Sequence, residues 1–155
     1  QEPHLGRAAV ELLESLGFAV ELAGICCGRA MLSKGFVSAT RDLARREVPR
    51  LARRIADGTP ILGLEPSCQL TLADEWPDLV PGPAAKAIAT AVESVEAFAV
   101  RAARDTGVSL APQVGPVTFH PHCHQRALVG PASTTDALAA IPGTALTTLD
   151  AGCCG

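Results

Sequence analysis

Apolar positions near the start of the chain predict a helix followed by a strand. Leucine and alanine side chains recur at helical spacing over residues 3–17, and Gly17 is a favourable helix end. Residues 18–22, FAVEL, then alternate between apolar and polar positions, as a half-buried strand does. The pair Cys26 and Cys27 follows, so the pattern predicts a cysteine loop at the carboxyl end of this strand.

A longer helical pattern occupies residues 33–57 and carries six arginines between Arg41 and Arg54. Pro49 lies inside this pattern. Because proline removes a helical hydrogen bond, we expect it to kink the helix or to split it in two. The arginine run is either a solvated helix face or a docking surface for a partner domain, and the sequence leaves both interpretations open.

The rest of the chain alternates short apolar runs with helical patterns. Because strands that alternate with helices are typical of parallel sheets, the predicted fold class is α/β. The sequence Pro81-Gly82-Pro83 is the best internal boundary, which gives a first half at residues 1–80 and a second half at 81–155. The remaining predicted elements are a strand at 60–64, helices at 65–75 and 84–105, a strand at 117–119, a helix at 134–140 and a strand at 145–149.

Charge and composition narrow the classes of function. The net charge is −3 and the chain has one Trp and no Tyr, which argues against binding of nucleic acid. No apolar run approaches the roughly 20 residues of a membrane span, and the N-terminal residues lack the pattern of a signal peptide. We therefore expect a cytoplasmic protein, in which six reduced cysteines favour metal or redox chemistry over structural disulfides.

Both ends of the sequence suggest a fragment of a larger chain. The first predicted element is a helix, where a preceding strand would be expected. At the other end, Gly155 follows the last cysteine pair at once, with no helix to cover the last predicted strand. We therefore interpret the sequence as an excised part of a longer protein, with the second half truncated.

The tripeptide Cys-Cys-Gly occurs twice, at Cys26-Cys27 and at Cys153-Cys154. Three interpretations remain open: small buried apolar side chains, a reactive dithiol, or thiolate ligands of a metal site. Adjacent cysteines before a flexible glycine allow two thiolates to reach different ions of one cluster. Mononuclear zinc more often uses C-x-x-C, which the chain lacks, so an iron–sulfur cluster fits the spacing better than zinc.

Other candidate ligands lie beside the single cysteines. His122 and His124 flank Cys123, and each is either a direct ligand or a supporting hydrogen-bond donor. Glu65 lies three residues before Cys68, where its carboxylate would either complete a metal site or favour the amino end of a helix. No Gly-rich strand-to-helix turn that would bind FAD is present in the sequence.

Four segments in order resemble the cysteine-rich CCG domain of FAD-linked oxidoreductases. They are GICCGRAMLSKGF, GLEPSCQL, FHPHCHQRAL and LDAGCCG. This domain occurs in the glycolate oxidase iron–sulfur subunit and in the heterodisulfide reductase B subunit. The nearest resemblance is to the C-terminal part of fused FAD and Fe-S dehydrogenases that act on D-lactate or D-2-hydroxyacids.

The resemblance implies a set of ligands and a fold. The family motif is a cysteine, then an adjacent pair, then C-x-x-C, and it occurs twice in two pseudo-symmetric α/β halves with cysteine loops at the strand ends. Glu65 takes the place of the first cysteine of the C-x-x-C in the first copy. The closing C-x-x-C of the second copy would lie beyond Gly155. The implied thiolate ligands are Cys26, Cys27 and Cys68 from the first copy and Cys123, Cys153 and Cys154 from the second.

The function that the resemblance implies is electron transfer. A 4Fe-4S type cluster would take electrons from FAD on another domain or subunit, after oxidation of a 2-hydroxyacid such as D-lactate or glycolate. The implied partners are that FAD-binding dehydrogenase and a ferredoxin-type Fe-S domain, which would also bring the module to the membrane periphery. We expect the isolated fragment not to be catalytic alone. The alternatives are a zinc-binding structural or interaction module and a thiol–disulfide reductase module.

Overall fold

A computed structural model describes residues 2–113 and 115–152 of the chain. Short strands alternate with helices, so the predicted α/β class is confirmed. The chain divides into two compact units, one formed by residues 21–93 and the other by residues 1–20 together with 94–155. None of the helices in the described residues has both the length and the apolar character needed to cross a bilayer.

Helices make up most of the regular structure in the described residues. They are α1 (Pro3–Ser15), α2 (Arg29–Ser33), α3 (Val37–Ile55), α4 (Pro66–Leu70), α5 (Trp76–Leu79), α6 (Pro83–Ala91), α7 (Val95–Thr106), α8 (Cys123–Leu128) and α9 (Ala132–Ala139). The strands are β1 (Ile61–Gly63), β2 (Val92–Ser94), β3 (Pro116–Phe119) and β4 (Ala145–Thr148). A π-helical turn, Thr71–Glu75, connects α4 to α5.

The strands form two small sheets. β1 is the neighbour of β2, and β3 pairs with β4. The β3–β4 pair is parallel, with a register that runs from Pro116 opposite Ala145 to Phe119 opposite Thr148. Two helices, α8 and α9, connect these strands, as a parallel crossover requires. The predicted parallel pairing is therefore present in this sheet.

The unit of residues 21–93 has a core of apolar side chains around Trp76, which is completely buried. α3 contributes one apolar face to this core and α6 packs against it. The buried members of this cluster are Cys27, Ala44, Val48, Leu51, Leu72, Trp76, Ala85 and Ile88. Because Cys27 belongs to the cluster, the first cysteine pair is anchored directly to the core.

The other unit has its own, smaller apolar cluster. Its buried residues are Leu16 and three alanines of α7, with Phe98 and Leu110 packed against them. The ring of Phe18 meets that of Phe98 edge-on, with 5.0 Å between the ring centroids. α7 also contacts α9, which in turn packs on β4.

The predicted strand at residues 18–22 is wrong. Residues 18–28 form neither helix nor strand. Phe18 is held by its contact with Phe98, whereas Leu22 is 78% exposed, so the alternation does not produce one buried face. Gly24 then turns the backbone with a φ of 60°. The pair Cys26-Cys27 therefore follows an irregular segment and not the end of a strand.

Helix boundaries also differ from the pattern. The helix predicted at 33–57 corresponds to α3, and a separate short helix, α2, ends at Ser33. α3 runs through Pro49 without interruption, so Pro49 does not split it. Pro49 is exposed, where water can satisfy the carbonyl that the proline leaves free. The helix predicted at 84–105 is divided by β2, because Ser94 caps α7 by accepting a hydrogen bond from the N–H of Ala97.

Candidate thiol and metal site

The sulfur atoms of Cys27 and Cys68 lie 3.0 Å apart. Cys27 lies two residues before α2, near the end of the irregular segment, whereas Cys68 lies in the first turn of α4, which follows β1. The two residues are separated by 41 positions in sequence but belong to the same unit. The structure therefore brings together two of the thiols that the sequence predicted as ligands.

Gly28 forms the turn that directs Cys27 toward Cys68. Its φ is 84°, a backbone conformation that favours glycine. A Cβ at this position would lie 2.8 Å from Cγ2 of Thr40 and 3.1 Å from Cδ2 of Leu43, both on α3. The third residue of the Cys-Cys-Gly motif is thus required for its conformation and for the close approach of α3.

A hydrogen bond from the core fixes the same turn. The indole Nε1 of Trp76 donates to the carbonyl oxygen of Cys27 at 2.9 Å, and this contact is buried. Since a buried carbonyl without a donor is costly, the bond fixes both the tryptophan ring and the cysteine backbone. Trp76 was not among the residues predicted from the sequence. The sequence does contain one indication of its role, because Trp76 is the single tryptophan of a chain poor in aromatic residues and lies eight positions after Cys68.

Backbone amides point at the sulfurs of the first cysteine pair. The N–H of Gly28 donates to Sγ of Cys26, and the N–H of Arg29 donates to Sγ of Cys27, each at 3.4 Å. Amide donors of this kind tune the potential of a metal that the sulfurs bind. Cys26 is exposed, whereas only 8% of Cys27 is accessible to solvent.

Glu65 caps the helix that carries Cys68. Its Oε2 accepts a hydrogen bond of 2.6 Å from the N–H of Cys68, and the hydroxyl of Ser67 donates to its carboxylate at 2.7 Å. Burial alone would raise the pKa of Glu65, but these hydrogen bonds outweigh it and the net shift is downward. The sequence left Glu65 either as a metal ligand or as an acid that favours the amino end of a helix. These contacts agree with the second interpretation.

The pKa of Cys68 is raised well above its usual value. Although the residue as a whole is exposed, partial burial of its sulfur is the main cause, and the nearby Cys27 sulfur and the Glu65 carboxylate raise the pKa further. Cys68 is therefore a protonated thiol at neutral pH in the metal-free protein. A metal ion that binds this sulfur must displace the proton, as thiolate ligation generally requires.

An ion pair links the two helical segments on either side of the thiols. Nη1 of Arg29, the first residue of α2, lies 3.4 Å from Oε1 of Glu75 at the end of the π-helical turn. Both side chains are partly buried, so the pair is less screened than one at the surface. π-Helical turns are frequent at functional sites, and this turn directly precedes Trp76. The sequence alone offered no signal for this contact.

The second candidate region lies in the other unit. Cys123 is the first residue of α8 and is exposed. The imidazole Nδ1 of His122 accepts a hydrogen bond of 3.2 Å from the N–H of His124, so His122 caps this helix. The sequence predicted a loop at these positions, and it missed α8 because histidine is not among the usual capping residues.

The segment that leads to the second Cys-Cys-Gly is held by two side chains. Nη2 of Arg126 lies 3.0 Å from Oδ1 of Asp150, and its Nη1 donates to the carbonyl of Ala151. Nε2 of His120 lies 3.0 Å from the carbonyl oxygen of Gly152. A cavity of about 310 Å³ is lined by Cys123, Arg126, Ala127, Ala151 and Gly152. Cys153 and Cys154 lie outside the described residues.

The donor chemistry of Cys27 and Cys68 fits a thiolate-bound metal. Within residues 2–113 and 115–152, no group of three or more His, Cys, Asp or Glu side chains is arranged to hold a metal ion. The 3.0 Å between the sulfurs is shorter than the separation of about 3.8 Å for two thiolates on one tetrahedral ion. A small outward movement of one side chain would open the pair for a single ion, and thiolates on different ions of a cluster would have to separate further. Soft sulfur donors suit iron and zinc.

Comparison with known proteins finds one matching family and several relatives. Residues 1–73 match the family described as Cysteine-rich domain, CCG. The C subunit of the anaerobic glycerol-3-phosphate dehydrogenase of Escherichia coli K12 is 28% identical over 99% of this chain and 39% of its own length. Lactate utilization protein A of Geobacillus thermodenitrificans is 31% identical over 82% of this chain and 54% of its own. The Macrococcus caseolyticus protein of the same name is 30% identical over 83% and 53%.

The chain spans between two fifths and about half of the length of these relatives. No solved structure matches the chain. The match of residues 1–73 to the Cysteine-rich domain family, CCG, agrees with the resemblance that the cysteine motifs predicted.

Proposed function

We propose that this chain is the iron–sulfur electron-transfer module of an FAD-linked oxidoreductase that acts on 2-hydroxyacids of the D-lactate or glycolate type. The observation that carries the proposal is the contact between the Cys27 and Cys68 sulfurs inside a CCG-family domain. Amide donors to the sulfurs of Cys26 and Cys27 support it, because such bonds stabilise thiolates around a cluster. A relative named lactate utilization protein A supports the substrate class.

The proposed ligands are the six cysteines, and the proposed group is a 4Fe-4S type cluster, which supplies one-electron transfer when bound. The chain's own contribution is to provide thiolates, to exclude water from Cys27 and to hold the turn at Gly28. Glu65, His122 and His124 are proposed as supplementary ligands. Their capping hydrogen bonds would have to be exchanged for metal bonds, so we place the cysteines before them.

The proposed partners are those that the resemblance of the cysteine motifs implies. We propose that FAD lies on another domain or subunit and that a ferredoxin-type Fe-S domain accompanies it. This agrees with the comparisons, in which the chain spans only part of the length of its relatives. The isolated chain would then not be catalytic alone. Two pseudo-symmetric halves, a cytoplasmic location and attachment to the membrane periphery through partners belong to the same proposal.

A second substrate class is favoured by one relative. The Escherichia coli relative is named for glycerol-3-phosphate dehydrogenase. D-lactate and glycerol 3-phosphate both carry a secondary alcohol and an anionic group, so one electron-accepting module would serve a flavoenzyme for either. Since this chain would receive only electrons, its own residues need not distinguish the two substrates.

Anaerobic loading of the purified chain with ferrous iron and sulfide tests the proposal. We expect stoichiometric iron and sulfide, a brown visible absorption and an electron paramagnetic resonance signal after reduction. Cys27→Ser should lose the iron, whereas the exposed Ser38→Ala on α3 should retain it as a matched control. Binding of zinc without retention of iron would support a structural zinc module instead. Failure to load either metal would reject the metal interpretation and leave the thiol–disulfide alternative.

A further inference from the structure

The Cys27–Cys68 pair has a spacing that also suits covalent bond formation. The sulfurs are 3.0 Å apart, compared with about 2.0 Å in a disulfide and about 3.8 Å for two thiolates on one tetrahedral ion. Closing the pair requires a movement of about 1 Å, comparable to the opposite movement that binding of both sulfurs to a single tetrahedral ion requires. The same two side chains can therefore either form a disulfide or bind a metal, but not both at once.

The surrounding contacts select this pair over the adjacent one. The Cα atoms of neighbouring residues such as Cys26 and Cys27 are about 3.8 Å apart, below the usual disulfide range of about 4.4–6.8 Å. The Cys27 backbone is fixed by Trp76, and the N–H of Cys68 is fixed by Glu65. Both partners are thus held where their side chains meet, which lowers the entropy that bond formation must overcome.

We propose that Cys27 and Cys68 of the metal-free protein form a reversible disulfide by exchange with a small disulfide such as glutathione disulfide, and that this bond excludes metal until it is reduced. The disulfide stands independently of the proposed function. Its effect on metal loading rests on that function.

The reaction proceeds through a mixed disulfide. The exposed Cys68 attacks one sulfur of glutathione disulfide from the small fraction of molecules in which it has lost its proton, so this step is slow. A Cys68–glutathione bond forms and one glutathione thiolate leaves. The buried Cys27, which lies in contact, then loses its proton and attacks the Cys68 sulfur, and the second glutathione thiolate leaves. Each released thiolate takes up a proton. Two protein thiols are oxidised, and one glutathione disulfide is reduced to two glutathione molecules.

The bond would protect the site between synthesis and metal loading. A thiol held as a disulfide cannot proceed to the sulfinic or sulfonic acid, either of which would permanently remove a ligand from the site. Reduction by a cellular dithiol returns both sulfurs to the ligand state. The chain would therefore be loaded only under conditions reducing enough to keep its cluster.

The test uses the purified metal-free chain, incubated with chelator and graded ratios of reduced to oxidised glutathione. Free thiols are then blocked with N-ethylmaleimide, and tryptic peptides are analysed by mass spectrometry. We expect the peptide that contains Cys26 and Cys27 to be linked to the peptide that contains Cys68. Cys26→Ser should retain the link. Cys27→Ser should lose it and accumulate glutathione on Cys68, since no thiol remains to resolve the mixed disulfide.

Several results would overturn the proposal. The first is a disulfide between Cys26 and Cys27. The second is loss of the link to the Cys68 peptide in Cys26→Ser. The third is the formation of glutathione adducts without any link between the two peptides. Circular dichroism of each variant shows whether it has folded. If a variant does not fold, the peptide map of the wild-type chain still tests the proposal.

The loading step separates this proposal from the proposed function. The oxidised chain should take up no iron until a phosphine reductant is added, and equal loading of both forms would refute the exclusion. If the disulfide forms but the reduced chain binds no metal, the proposed function fails and the disulfide stands. If iron loads and no disulfide forms at any glutathione ratio, the disulfide fails and the proposed function stands.

Discussion

At the scale of single residues, the two cysteines are positioned by the backbone conformation and hydrogen bonds of their neighbours. Gly28 provides a turn that other residues rarely adopt, Trp76 holds a carbonyl, and Glu65 caps a helix. The sequence identified the thiols and left the role of Glu65 undecided between ligand and cap. Gly28 was visible in the motif, but its contact with Thr40 depends on how α3 packs and could not be read from spacing.

Gly28→Ala should destabilise the protein by about 1–3 kcal/mol, because it combines an unfavourable φ with a clash against Thr40. Gly35→Ala is the matched control. Its φ is 80°, but no described atom lies within 4 Å of the added Cβ, so it measures the conformational cost alone. Denaturant unfolding of both variants gives the difference. Equal losses of stability would show that the contact with α3 is not restrictive.

The cap at Glu65 should make stability depend on acidity. Its pKa is lowered in the folded protein from the usual 4.5, so the carboxylate stabilises the fold above that value. This stabilisation is lost as the pH falls from 4.5 toward the lower folded pKa. Glu65→Ala should cost about 1 kcal/mol at neutral pH and much less in acid. Urea unfolding at neutral pH and in acid measures both values, and a constant difference would contradict the assignment.

The raised pKa of Cys68 should make this exposed thiol slow to react. Because only the thiolate attacks iodoacetamide, we expect slow alkylation near pH 8 and a rate that still increases above pH 9. Glu65→Gln removes a nearby negative charge and should speed the reaction. Mass spectrometry of the Cys68 peptide over time gives the rate. A plateau below about pH 8 would contradict the direction of the shift.

At the scale of elements, α3 is the support on which the Cys-Cys-Gly turn rests, and it contains a proline. Pro49→Ala restores the N–H that the helix lacks and should stabilise the protein by about 1–3 kcal/mol. Arg46→Ala, on the same exposed side of α3, should change stability by less than about 0.5 kcal/mol and serves as the control. Thermal unfolding measures both variants. Destabilisation by Pro49→Ala would mean that the proline itself is required for the packing of α3.

Much of the element pattern was predictable, and the failures have local causes. β1, β3, β4, α1 and α9 were predicted from apolar periodicity within a few residues. The strand at 18–22 was wrong because five alternating residues do not make a strand without a hydrogen-bonded neighbour. The break at β2 depends on the Ser94 cap inside a continuous helical pattern, and α8 depends on the uncommon cap at His122. Both capping contacts form only in the folded chain.

At the scale of the whole molecule, charge is unevenly distributed. α3 holds six of the thirteen basic residues but only two of the sixteen acidic residues, in a chain of net charge −3. Arg45 and Arg50 pair with acidic residues one turn away, and Arg54 pairs with Glu21. These exposed pairs add little stability each. The ion pairs of the arginine face therefore contribute little to the stability of the fold. The choice between a solvated surface and a docking surface stays open.

Metal loading should stabilise the whole domain, because a cluster binds the folded chain only. At a free ligand concentration of about 100 times the dissociation constant, the gain is about 2.7 kcal/mol. We expect a higher melting temperature after anaerobic loading, reversal by a chelator, and no shift for Cys68→Ser. Scanning calorimetry under anaerobic conditions makes the comparison. An unchanged melting temperature despite stoichiometric iron would mean that the iron binds outside the folded site.

The hydrogen bond between Trp76 and the Cys27 carbonyl has an optical consequence. Trp76 is the single tryptophan of a chain without tyrosine, and its indole is fully buried next to the proposed ligands. Its fluorescence therefore reports on one place in the molecule, with no other indole to dilute it. An iron–sulfur cluster absorbs where indole emits and would quench this light by energy transfer, whereas zinc would leave it bright. The chain thus contains a native probe that distinguishes the two metals during loading, without any added label.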